Sequence, residues 1–145
     1  MRWFTLLAAT TLAAATSAAI EPVFYAGFEN GFDGRDAPGI CTATVEGAPE
    51  LADGQFGRAL KSGPTTGYVY YPVAGHVQPA AGTVEMWVCP VDWVPSEDKF
   101  HVFFEAKNTG CVYLYKYFQQ PNLLMLSAAD TRGPYYSAVM PLQWQ

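Results

Sequence analysis

The sequence predicts an all-β protein, an antiparallel β-sandwich of the jelly-roll kind. Three observations predict it. Past Ile20 the apolar residues recur with period two, in short β-branched or aromatic runs. Turn residues separate these runs at intervals of about 8–12 residues, the rhythm of sandwiches. The 13 Gly and 11 Pro are spread along all 145 residues, a distribution that argues against a helical bundle or coiled coil. No amphipathic stretch exceeds a helical turn or two.

Residues 1–19 read as a secretory signal peptide outside the fold. Arg2 supplies the positive end, residues 4–15 are apolar or small, and no acid precedes Glu21. Ser17-Ala18-Ala19 then offers the small residues of a cleavage site. The apolar run is shorter than the ~20 residues a bilayer needs, and no second long run follows. The expected mature chain is residues 20–145, one domain that is secreted, periplasmic or cell-surface, with no membrane span.

Within that domain the expected strands are 23–28, 59–61, 68–71, 83–88, 101–105, 112–117, 123–127 and 135–139. In 83–88, Val84, Met86 and Val88 alternate against Thr83, Glu85 and Trp87. Gly54 and Gly57 bracket a tight turn suited to positive φ. The last four strands are joined by short loops and form a meander. Tyr113, Tyr115 and Tyr117 share one strand face, and His101, Phe103 and Glu105 share one face of theirs. Whether the two sets meet depends on register.

Charge narrows the partners. Eight Lys and Arg against 13 Asp and Glu give a net −5 and a pI near 4.8, which argues against a phosphate-binding surface and so against nucleic acid. Cys41, Cys89 and Cys111 allow at most one internal disulfide, and three pairings are open. Buried thiols acting as small hydrophobes are the other reading. No CxxC and no Cys/His cluster occurs, so a structural zinc site is not expected. His76, beside Gly75, and His101, in a strand, read as surface or sheet residues.

Phe28-Glu29-Asn30-Gly31, then Gly54-Gln55-Phe56-Gly57-Arg58-Ala59-Leu60, then Tyr68-Val69-Tyr70-Tyr71-Pro72 and Gly82-Thr83-Val84-Glu85-Met86-Trp87-Val88-Cys89-Pro90 follow in order. This succession resembles the laminin-G-like jelly-roll domains of the concanavalin A-like lectin/glucanase superfamily. The resemblance implies a concanavalin A-like sandwich over residues 20–145. It also implies calcium, with Glu29, Asn30, Asp33 and Asp53 as candidate ligands, since calcium takes hard oxygen donors. A full domain of that family continues past the segment matching Pro141-Leu142-Gln143-Trp144, so the domain is expected to lack its C-terminal strands.

The superfamily includes glycoside hydrolases, which need two carboxylates about 5–5.5 Å apart for retention. The strand triplet E-x-D-x-x-E is absent, and Glu85 and Glu105 fall on different strands. No G-x-S-x-G, P-loop or H-E-x-x-H occurs. The expectation is therefore an exported, non-catalytic module that binds carbohydrate. Tyr113, Tyr115 and Tyr117 are candidate stacking platforms, with Glu85 and Trp87 as further ligand-binding candidates. A protein-interaction or adhesion domain, with an extracellular protein as partner, and a purely structural accessory domain are the alternatives.

Overall fold

A computed structural model describes residues 21–77, 82–107, 110–118, 123–130 and 136–141. The chain is all-β, as its periodicity predicts, and the described residues form eleven strands in antiparallel sheets. The predicted signal segment lies outside the described residues.

Strands β1 (Phe24–Tyr25), β2 (Gly34–Asp36) and β3 (Gly39–Cys41) form a three-stranded sheet in chain order. The predicted strand over 23–28 is thus cut to two residues. Phe28 takes a φ of 58°, a left-handed conformation that no extended strand accommodates. Asp36 closes the β2–β3 turn by accepting the Gly39 N–H at 3.1 Å.

Strands β4 (Thr44–Gly47), β5 (Glu50–Asp53), β6 (Arg58–Lys61) and β7 (Gly67–Tyr70) follow. β4 pairs with β7 and encloses the β5–β6 hairpin. At the hairpin tip the Gly54 N–H donates to the Gly57 carbonyl at 2.8 Å. Gly57 has the expected positive φ of 74°, but Gly54 does not. β2 to β5 were not anticipated, because short segments such as Gly34-Arg35-Asp36 and Thr44-Val45-Glu46-Gly47 carry no apolar alternation.

The expected meander is present as a four-stranded sheet of order β11-β10-β9-β8. Its strands are β8 (His101–Lys107), β9 (Gly110–Lys116), β10 (Leu123–Asp130) and β11 (Tyr136–Pro141). A bulge between Val102 and Phe104 interrupts the β8–β9 register.

The strand predicted over 83–88 does not form. Residues 82–90 are irregular and mostly exposed. Alternation proposes a strand, but a strand persists only where a neighbouring edge takes up its N–H and C=O groups. None of the described strands pairs with this segment. Val84 and Trp87 are accordingly exposed, and Trp87 meets Phe56 edge to face at 5.4 Å.

Among the described residues the buried apolar side chains are Cys41, Pro49 and Ala106, and the buried polar ones Lys116 and Ser127. Lys116 ends β9, which carries Tyr113 and Tyr115, and Ser127 lies on the adjacent β10. No helix among the described residues is long and apolar enough to cross a membrane.

Candidate functional site

The site is built on β9. Tyr113 and Tyr115 alternate with Val112, Leu114 and Lys116, so the two rings stand on one face of the sheet. Register supplies their neighbours. Tyr115 lies opposite Val102 on β8 and Met125 on β10, and Tyr113 opposite Glu105 and Ser127. Ser127 in turn lies opposite Ser137 on β11. These residues, with Phe100 just before β8, line an open cavity of about 340 Å³: Phe100, Val102, Tyr113, Tyr115, Ser127 and Ser137.

The bulge in β8 decides which residues join that face. A bulge inserts one residue and reverses the facing of everything beyond it. His101 pairs with Lys116 on the far face, whereas Glu105 pairs with Tyr113 on the tyrosine face. The shared face expected for His101, Phe103 and Glu105 is therefore split. His101 and Phe103 both stack on Trp93, at centroid distances of 3.9 and 6.2 Å.

A line of hydroxyls crosses the cavity. Tyr115 Oη lies 3.0 Å from Ser127 Oγ, which lies 2.7 Å from Ser137 Oγ. Ser127 is only 3% exposed, so these contacts satisfy a group that water does not reach. Phe100 forms the apolar wall, 5.6 Å from the Tyr115 ring. Tyr117 continues the wall rather than lining the cavity, packed on Phe100 at 5.8 Å and Phe118 at 5.0 Å.

At the other end Glu105 and Lys107 form an ion pair, and the Lys107 ammonium lies 5.6 Å from the Tyr113 ring centroid. Burial, then the contact with Cys111 and the Glu105 charge, push the Tyr113 phenol up, against the opposing Lys107 charge. Tyr113 thus stays a neutral donor at physiological pH.

The far face holds the loop that delivers Phe100. Lys116 is fully buried, and its ammonium donates to the Glu97 carbonyl and, at 3.1 Å, to the Lys99 carbonyl. It also lies 6.0 Å from the Trp93 ring centroid. The Glu97 carboxylate accepts from His101 at 2.5 Å and pairs with Lys99 at 3.2 Å. Burial raises the Glu97 carboxyl, but the hydrogen bonds and charges of Lys99 and His101 outweigh it and hold the group below its ordinary range.

Of the predicted ligand-binding residues, Tyr113 and Tyr115 line the cavity and Tyr117 supports it. Glu85 and Trp87 lie on the irregular segment and do not join them. Two of the calcium candidates accept backbone N–H groups. Glu29 accepts the Arg58 N–H with both oxygens at 3.3 Å, and Asp33 accepts the Ala43 N–H at 2.8 Å. Asp53 ends β5 opposite Arg58, and Asn30 is exposed. Cys41, Cys89 and Cys111 remain thiols. Where no Cys/His cluster was expected, Cys41 and His76 meet Asp36. Tertiary folding brings them together from three separate segments.

Phe100, Val102, Ser127 and Ser137 escaped sequence reasoning. Val102, Ser127 and Ser137 sat within predicted strands, but only cross-strand register makes them neighbours of the tyrosines. No protein-family model matches the chain, and no curated protein or solved structure matches it.

Proposed function

We propose that the chain is an exported, non-catalytic carbohydrate-binding module whose ligand lies on the tyrosine face of the four-stranded sheet. One observation carries the reading: a single cavity combines aromatic walls with a line of hydroxyls. A sugar ring has an apolar C–H face and an equatorial rim of hydroxyls. Tyr113, Tyr115 and Phe100 offer surfaces for the first, and Ser137 and the Tyr115 phenol, both tied to buried Ser127, offer partners for the second. Pockets of this kind place a few polar groups in an apolar lining to orient the ligand.

The laminin-G-like resemblance and the signal-like leader support the same reading, because both belong with extracellular recognition. The enzymatic alternative has less support. Glu105, on this face, is paired with Lys107, and none of the described residues lining the cavity is a carboxylate.

A glycan array probed with the purified chain tests the proposal. Binding to a defined oligosaccharide class, weakened by Tyr113→Ala with the fold retained, is the expected result. Each lost stacking contact should lower affinity by about 1 kcal/mol, or roughly five-fold. An array with no bound oligosaccharide would overturn the reading and favour the adhesion alternative.

A further inference from the structure

We propose that Asp36, Cys41 and His76 form a three-ligand site for a thiophilic divalent ion of the zinc class. The three side chains come from the end of β2, the end of β3 and the turn after β7. One ligand atom from each lies within 4.8 Å of the others. Ligands at zinc distances of about 2.0–2.3 Å sit about 3.3–3.8 Å apart around a tetrahedral ion, so modest side-chain movement closes the set. A sulfur, an imidazole nitrogen and one carboxylate form a donor set that suits zinc rather than calcium or magnesium.

The orientation of each donor is an independent argument. His76 Nδ1 lies 2.6 Å from the Pro72 carbonyl and Nε2 lies 2.9 Å from Asp36 Oδ2. Both ring nitrogens therefore face oxygen acceptors. A neutral imidazole donates from one nitrogen only. The arrangement is satisfied by a doubly protonated ring, or by a cation shared between Nε2 and Asp36. A ligating histidine characteristically donates its other N–H to a backbone carbonyl, the role Pro72 fills. Asp36 is oriented likewise, with Oδ1 tied to the Gly39 N–H and Oδ2 directed to the cluster.

Packing holds the set in place. The Phe24 ring lies 4.9 Å from the His76 ring and 4.7 Å from the Tyr71 ring, and the Tyr71 phenol donates to the Phe32 carbonyl at 2.6 Å. Cys41 is 6% exposed, while the His76 and Asp36 side chains retain 11% and 18%. The thiol is sheltered from oxidants. The Asp36 carboxylate beside the Cys41 thiol adds a fixed negative charge that attracts a divalent cation. Binding would release the thiol proton to solvent. It would fasten the β1–β2–β3 sheet to the turn after β7.

The test titrates the full chain, reduced and freed of metal, with cobalt(II) and then zinc. One equivalent of cobalt should produce a thiolate-to-cobalt charge-transfer band that zinc abolishes by displacement. Cys41→Ser should remove the band and Cys89→Ser should leave it. Should Cys41→Ser fail to fold by circular dichroism, His76→Gln decides. It keeps the buried thiol and should weaken zinc binding by roughly ten-fold or more, the cost of losing a ligand being at least that of losing a supporting contact. Absence of the band at one equivalent, its persistence in Cys41→Ser, or unchanged zinc affinity in His76→Gln would each overturn the proposal. Glycan binding is read separately, so failure of one proposal leaves the other standing.

Discussion

Replacing Lys116 by methionine tests how the far face of the sheet shapes the cavity. Methionine keeps most of the apolar stem and removes only the ammonium, so the packing against Trp93 survives in large part. Two hydrogen bonds from the charged group are lost, to the Glu97 and Lys99 carbonyls. Bonds to a charged group contribute about 1.5–3 kcal/mol each, a gross loss of roughly 3–6 kcal/mol. Against this, the variant no longer buries a cation, which itself costs several kcal/mol. The net expectation is a destabilisation of about 2 kcal/mol. For a chain of this size that lowers Tm by roughly 6–10 °C. The loop freed from its clamp also carries Phe100, the apolar wall of the cavity. Affinity for an array-identified oligosaccharide should therefore fall along with Tm. Thermal unfolding followed by circular dichroism at neutral pH, with calorimetric titration of the oligosaccharide, reads both. A Lys116→Met protein that melts at or above the parent temperature would refute the reasoning, since the ammonium would then be a burden and not a clamp.

Three further outcomes are expected. Tyr115→Phe removes the link from Oη to Ser127 but keeps the ring, so it should cost about 1 kcal/mol of stability and about five-fold in glycan affinity; unchanged affinity would remove the phenol from recognition. Glu97 has a folded pKa below its ordinary 4.5, so its contribution to stability is present above that value and lost as pH falls through the lower, folded one. Melting profiles taken across that acid range should therefore flatten in Glu97→Gln, and an unaltered acid profile would deny Glu97 the role. Gly57→Ala places a Cβ at φ 74° and against the Glu29 carboxylate, which should shift the urea midpoint by an equivalent of about 1–2 kcal/mol; a midpoint equal to the parent's would show the turn relaxing without strain.

The all-β class, the C-terminal meander and the common face of Tyr113 and Tyr115 were determined by the sequence alone. Each follows from alternation between residues two apart, a property of one strand and its solvent boundary. What lay between strands was not legible. The bulge at Val102 and Phe104 assigns Glu105 to the tyrosine face and His101 to the other, and no local pattern marks it. The segment 83–88 alternates as well as any strand here, yet no described strand pairs with it and it stays irregular. Ser127 and Ser137 become one hydroxyl line only through the β10–β11 register. The meeting of Asp36 and Cys41 with His76, 40 positions after Asp36, is likewise decided by tertiary structure. Alternation is set by nearest neighbours along the chain, whereas register, edge pairing and the convergence of distant side chains are set by which strands find one another in space.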